Sequence, residues 1–134
     1  MSLVDSFKEF MESNGMDISD IYEEHVDELG CTILSFGEEA ESGDIYNLCL
    51  VFFDDNSIVE IDVRMQYSAS NMLKLYDKLN SLNIDYSGIS FIYDAGIVAT
   101  KTAVPSVLGI EHILKTLADN IEIAEKEFPQ IKNL

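Results

Sequence analysis

A dense group of side chains that can ligate a metal or exchange protons lies between residues 23 and 28. Glu23, Glu24, His25, Asp27 and Glu28 supply one imidazole and four carboxylates. In a helix, Glu24 and Glu28 would share one face and Asp27 would lie beside Glu23, so the group could bind a divalent ion loosely. Runs of acids more often form a solvated surface, and we favour that interpretation over a metal or acid–base site.

Nucleophilic catalysis would need Cys31 or Cys49 beside His25 or His112. Both cysteines lie in apolar, strand-like segments, so we expect buried free thiols in a reducing compartment. The sequence contains no EF-hand spacing, P-loop, G-x-S-x-G or G-x-G-x-x-G motif. We therefore predict no catalytic residue, no metal site and no cofactor. A weak divalent-metal protein or an enzyme is kept as the least favoured function.

The charge of the chain is strongly asymmetric. Residues 1–63 contain 17 of the 25 acids and one base, Lys8, whereas residues 64–134 contain 7 bases and 8 acids. Such a field repels nucleic acid and anionic membranes and attracts basic polypeptides, so neither nucleic acid nor membrane is an expected partner. The expected acidic patch comprises Asp17, Asp20, Glu23, Glu24, Asp27, Glu28, Glu38, Glu39 and Glu41.

The length of 134 residues and the apolar fraction of 47% predict one globular domain. The longest apolar run, near Leu48 to Phe53, is far shorter than the ~20 residues of a membrane-spanning helix. The N-terminus has no basic segment followed by an apolar stretch, so we expect no signal peptide.

Hydrophobic periodicity predicts the elements of this domain. The predicted helices cover 3–14, about 69–82 after a cap at Ser68 or Ser70, and about 107–110 to 128; the predicted strands cover 31–36, 45–53, 58–63, 89–93 and 97–104. Residues 16–29 are ambiguous, and Asp17 could cap a short helix there. Polar turns at 54–57 and 94–96 predict hairpins and therefore antiparallel pairing.

The predicted fold class is α+β, with a single domain and the element order α-β-β-β-α-β-β-α. About five strands form an antiparallel sheet with helices on one face. The segment IYNLCLVFF (45–53) is apolar on both sides, so the face without helices is expected to bind a partner. The residues expected at this protein interface are Leu48, Leu50, Phe52, Ile89 and Phe91, assisted by the C-terminal helix.

Four segments carry a family resemblance: VFFDDNSIVEIDV (51–63), LKLYDKLNSLN (73–83), SGISFIYDAGIVATKTAVP (87–105) and EHILKTLADNIEIAEKEFPQI (111–131). Their apolar pattern and turns resemble the YbjN-like bacterial regulator family, which shares the fold of type III secretion chaperones. The resemblance covers most of the chain, least well at 16–30. It implies a small cytoplasmic homodimer that acts by binding proteins, and it transfers no functional residues.

Two function classes follow from these observations. The first is a non-enzymatic protein-binding protein, chaperone-like or regulatory, that uses its sheet and acidic rim. The alternative is an acidic inhibitor or immunity-type protein that masks the basic site of a toxin or nuclease with the acids of 17–28 and 38–44. Salt-sensitive binding of a basic partner would favour the alternative, and salt-insensitive burial of apolar surface would favour the first class.

Overall fold

The computed structural model describes residues 2–134. The elements are α1 (Leu3–Ser13), β1 (Tyr22–Val26), β2 (Cys31–Glu39), β3 (Ile45–Phe53), β4 (Ile58–Gln66), α2 (Met72–Asp85), β5 (Ser90–Asp94), β6 (Ile97–Pro105), a 3₁₀ turn (Ser106–Leu108) and α3 (Ile110–Lys132). The order is therefore α-β-β-β-β-α-β-β-α, which is the predicted order with one additional strand.

The six strands form one sheet in the order β1-β2-β3-β4-β6-β5. Every neighbouring pair is antiparallel, as the hairpin pattern predicted. Because β6 lies between β4 and β5, the two edges of the sheet are β1 and β5. The predicted count of about five strands is one too low.

The additional strand, β1, lies in the segment that the sequence left ambiguous. The range Tyr22–Val26 pairs with Cys31–Ser35 of β2, so the short helix considered for this segment is wrong. The N–H of Leu29 donates to the carbonyl of Val26 at 3.2 Å, and Gly30 takes a positive φ of 62° to complete the turn. The strand is favoured over a solvated helix because its pairing satisfies backbone groups on the outer edge of β2.

Helices α1 and α2 begin at side-chain caps. The hydroxyl oxygen of Ser2 accepts from the N–H of Asp5 at 3.1 Å, which starts α1 where the sequence predicted. Helix α2 begins later than predicted, because the carboxamide oxygen of Asn71, rather than Ser68 or Ser70, accepts from the N–H of Lys74 at 3.1 Å.

Helix α3 continues through Pro129 to Lys132, whereas the sequence predicted an end at Phe128. Proline removes one hydrogen-bond donor from the helix. Ile131, two residues later, is fully buried in the core, and its burial offsets that loss.

All three helices pack on one side of the sheet, as predicted. The core joins Phe7 of α1, Leu75 of α2 and Ile113 of α3 to Leu50 and Ile61 of the two central strands, and all five side chains are fully buried. No helix covers the opposite side of the sheet within residues 2–134, and we call that side the open face.

Candidate functional site

The structure places the expected acidic patch along the β1 edge of the sheet. All nine of its carboxylates are exposed. Six lie in β1 and its flanking turns. The other three lie at the end of β2, beyond the part that pairs with β1, and in the turn that follows β2. We call this surface the acidic edge. Its members are Asp17, Asp20, Glu23, Glu24, Asp27, Glu28, Glu38, Glu39 and Glu41.

A single ion pair fastens β1 to α1. The ammonium of Lys8 donates to Oε1 of Glu23 at 2.5 Å, and this hydrogen bond is the main reason that the pKa of Lys8 is raised. Lys8 is the only lysine or arginine in residues 1–63, so the other acids of the edge have no such partner nearby in sequence. Within residues 2–134, seven of the nine acids of the edge have no ion-pair partner; the exceptions are Glu23 and Asp27, which lies beside His25.

His25 bridges two turns at the same edge. Its Nδ1 lies 2.9 Å from Oδ1 of Asp27, and its Nε2 lies 3.1 Å and 3.2 Å from the two carboxylate oxygens of Asp54. Only the doubly protonated ring can donate from both nitrogens. The hydrogen bond to Asp54 is the main cause of the raised pKa of His25. When protonated, the His25 ring thus ties the β1–β2 turn to the β3–β4 turn.

The strand geometry also separates the side chains of residues 23–28 that could ligate a metal. Glu23 and His25 point to the helix side of the sheet, and Glu24 points to the open face, so the face shared by Glu24 and Glu28 in a helix does not exist. Among residues 2–134, no group of three or more histidine, cysteine or acidic side chains has a metal-binding arrangement.

Both cysteines are buried free thiols, as predicted. Burial is the main cause of the raised pKa of Cys31 and of Cys49, so both thiols are held in the protonated, weakly nucleophilic form. Both lie on the open face, whereas His25 and His112 lie on the helix side, and the sequence hypothesis of a cysteine–histidine pair is not realised.

The five residues expected at the protein interface do not lie on the open face. The side chains of Leu48, Leu50, Phe52 and Phe91 are buried beneath the helices, and Ile89 precedes β5 and packs against the same core. Alternate residues of a strand point to opposite faces of the sheet, and Leu48, Leu50, Phe52 and Phe91 occupy positions that point towards the helices. The expectation that they lie on the open face is therefore wrong.

The open face has a buried carboxyl group at its centre. Asp62 on β4 lies opposite Cys49 on β3 and Lys101 on β6, and its side chain is 0% exposed. Its Oδ2 accepts from Nη2 of Arg64 at 3.0 Å, while Oδ1 has no hydrogen-bond partner. Burial raises the pKa of Asp62. This face is therefore partly charged and less apolar than the sequence suggested.

Sequence reasoning missed a second apolar surface, on α2. The exposed fractions are 38% for Met72, 72% for Leu73, 53% for Tyr76 and 75% for Ile84. We call these four residues the α2 stripe. Helix α2 buries Leu75, Leu79 and Leu82, so Met72 and Tyr76 lie outside its buried face. The sequence did contain an indication of this exposed surface, because α2 has more apolar residues than one helix face can hold.

Comparison with known proteins gives no match for this chain among protein-family models, curated proteins or solved structures. In residues 2–134, no helix combines the length and the apolar character that crossing a bilayer requires.

Proposed function

We propose that this chain is a non-enzymatic, protein-binding protein of the cytoplasm, with a chaperone-like or regulatory role. One observation carries the proposal: β1, one of the two edge strands of the sheet, lies in the most acidic part of the surface. An edge strand offers backbone donors and acceptors to an added strand, and flanking charges select the partner. The favoured client is therefore an extended segment rich in lysine and arginine.

The geometry of β1 supports a client that binds as a strand. Glu24 lies on the open face, while Glu23 lies on the helix side and is already paired with Lys8. Asp20 and Glu28 flank the strand at its two ends and are exposed. A client strand beside β1 would thus meet carboxylates at both ends of the strand and, through Glu24, on the open face.

The test uses a labelled peptide of alternating lysine and valine, titrated with the protein at low salt and followed by fluorescence anisotropy. The variant Asp20→Lys, Glu24→Lys, Glu28→Lys should weaken binding by about 100-fold, because charge reversal at a contact surface adds repulsion as well as removing attraction. The control variant Glu111→Lys, Asp119→Lys, Glu122→Lys changes the net charge equally on exposed positions of α3 and should leave binding within a few-fold.

A second peptide separates strand addition from plain charge attraction. Proline at every valine position keeps the charge but removes backbone donors, so this peptide should bind much more weakly. Equal binding of the two peptides, or equal effects of the two variants, would overturn the proposal.

The exposure of all nine acids also favours the alternative function, an acidic inhibitor or immunity-type protein that masks a basic site on a toxin or nuclease. That function predicts tight, salt-sensitive binding to a folded basic protein and little binding to the flexible peptide. The comparison of the two probes in the same titration therefore decides between the two.

The homodimer implied by the family resemblance belongs to this proposal. The acidic edge is an unfavourable place for self-association because like charges repel. A dimer of this chain must therefore use another surface.

A further inference from the structure

Strand β5, the other edge of the sheet, is closed to strand addition at Phe91. The side-chain nitrogen of Asn83 on α2 donates to the carbonyl of Phe91 at 3.0 Å, and the side-chain oxygen accepts from the N–H of Phe91 at 2.6 Å. Because both backbone groups bond to a helix side chain, they point away from β6. Asn83 thus makes the two hydrogen bonds that a residue of an added strand would make. A client strand is therefore directed to β1.

Strand β1 presents a row of three side chains on the open face. Glu23 lies opposite the buried Leu34 and points to the helix side, so the alternate residues Tyr22, Glu24 and Val26 point to the open face. Tyr22 is 64% exposed, Glu24 is exposed and Val26 is partly exposed. Along the strand, this row is apolar, acidic and apolar.

The open face stays apolar on the two strands next to β1. Cys31 lies beside Val26, and Phe53 lies beside Cys31 on β3. In the neighbouring row, Ile33 lies beside Val51. Cys31 and Val51 are buried, whereas Ile33 and Phe53 are partly exposed. A strand added to β1 would extend this surface, so apolar side chains on its open-face side would be shielded from water.

The helix side of β1 offers a client base no free carboxylate. Glu23 is already paired with Lys8, and His25 lies within hydrogen-bond distance of Asp27 and Asp54. A base on this side of a client strand would approach the ammonium of Lys8 or the protonated ring of His25. Within residues 2–134, the remaining acid of β1, Glu24, has no ion-pair partner, so a basic client side chain gains most on the open face.

We propose that β1 selects extended segments with the pattern apolar–x–basic–x–apolar, in which x is uncharged and the basic residue lies opposite Glu24. The inference rests on the proposed function and gives the client of that same site a sequence. Alternate residues of a strand share a face, so the two apolar residues lie opposite Tyr22 and Val26. The pattern reads the same in both directions, so parallel and antiparallel clients both fit it.

The strength of cross-strand pairs sets the expected selectivity. One favourable pair changes binding by up to about 5-fold. Moving the base by one residue turns it to the helix side. A shift of register that returns the base to Glu24 then removes the apolar residues from Tyr22 and Val26. A client with a misplaced base should therefore bind about 5-fold more weakly in either register.

Two labelled peptides of equal composition test the pattern in titrations of the full chain at low salt, followed by fluorescence anisotropy. One contains Val-Thr-Lys-Thr-Val and the other Val-Lys-Thr-Thr-Val, and both are flanked by threonines. The wild-type protein should bind the first peptide about 5-fold more tightly. Since the two peptides have equal charge, attraction to the acidic edge alone predicts equal binding.

Charge reversal at Glu24 tests the pairing from the protein side. The variant Glu24→Lys should bind a third peptide, Val-Thr-Glu-Thr-Val, about 5-fold more tightly than Val-Thr-Lys-Thr-Val, whereas the wild-type protein should show the opposite order. The control Glu39→Lys makes the same charge change at an exposed residue of β2, beyond the part that pairs with β1, and it should keep the wild-type order. Both positions are exposed, and circular dichroism checks that the variants fold.

The outcomes separate this inference from the proposed function. Equal binding of the two lysine peptides by the wild-type protein, or the wild-type order in Glu24→Lys, would overturn the pattern and leave strand addition at β1 in place. A reversed order in Glu39→Lys would also overturn the pattern, because it would show that net charge sets the preference. Absence of binding by every peptide would overturn both the pattern and the proposed function.

Discussion

Removing the charge of Arg64 should lower the free energy of unfolding, because the buried carboxylate beside it would lose its hydrogen-bond donor. Asp62 is 0% exposed, and its one hydrogen bond comes from Nη2 of Arg64 at 3.0 Å. The variant Arg64→Met keeps most of the aliphatic stem and removes this donor, so Asp62 is left buried with neither oxygen paired. Its Oδ1 already has no partner in the wild-type protein.

The loss of a hydrogen bond to a buried charged group costs about 2–3 kcal/mol, and the lower value applies here because Arg64 is 37% exposed and partly screened by solvent. A free energy of unfolding lower by about 2 kcal/mol corresponds to a melting temperature lower by about 6–10 °C for a domain of this size. Urea denaturation at neutral pH measures the difference.

The matched control is Lys132→Met at the end of α3. Lys132 is 46% exposed, and its ammonium lies 2.7 Å from Oδ1 of Asp44, which is also partly exposed. That variant should cost about 0.5 kcal/mol or less, as is usual for surface ion pairs. A similar loss in both variants would show that burial of Asp62 is not the cause.

A double-mutant cycle between Asp62 and Arg64 tests whether the buried carboxylate is the cause. Asp62→Asn removes the buried charge, so Arg64→Met in that background should cost less than about 0.5 kcal/mol. The deficit of Arg64→Met should also shrink in acid. Burial raises the pKa of Asp62 in the folded state, so this carboxyl is least unfavourable when protonated, and its contribution to stability falls as pH rises through that pKa. An undiminished cost of Arg64→Met in the Asp62→Asn background would refute the reasoning.

Three further predictions concern the edge and the sheet. NMR titration should give His25 a pKa above 6.5, and Asp54→Asn should lower that pKa; an unchanged pKa in the variant would contradict the bridge. The stabilisation of the fold by the protonated ring is present below pH 6.5 and is lost as pH rises through the folded-state pKa. Asn83→Ala should lower the free energy of unfolding by about 2 kcal/mol, measured with urea, because the Asn83 side chain donates to the carbonyl of Phe91 at 3.0 Å and accepts from its N–H at 2.6 Å; a loss below about 0.5 kcal/mol would contradict this. Raising sodium chloride from about 20 to 500 mM should raise the melting temperature measured by calorimetry, because salt screens the repulsion among the acids of residues 1–63, and a flat response would mean that this repulsion is small.

Local signals in the sequence closely predicted α1 and the hairpin turns at 54–57 and 94–96. Ala95 and Gly96 both take positive φ values, of 49° and 81°, in the predicted turn between β5 and β6. Asn56, with a φ of 56°, turns the chain within the predicted 54–57 segment. These predictions succeeded because turn chemistry and short-range periodicity depend on neighbouring residues alone.

Predictions that needed a partner element were less successful. Strand β1 was missed because YEEHV has too few apolar residues to reveal its pairing with β2. The five interface residues were assigned to the wrong side of the sheet. A strand that is apolar on both faces does not reveal which set of alternate positions the helices cover. The exposure of Leu73 and Ile84 depends on how α2 is rotated against the sheet, and this rotation is set by the packing of Leu75, Leu79 and Leu82.

The sequence by itself determined an antiparallel α+β domain, a strong concentration of acids in its first half and two thiols in apolar strands. These follow from residue type and spacing, which the chain contains wherever it folds. Only the tertiary structure decided that the acids line an unpaired sheet edge, that Asp62 is buried beside Arg64, and that Leu73 and Ile84 of α2 face solvent. The physical reason is that burial depends on which surfaces meet, and contacts between residues far apart in the sequence set that arrangement.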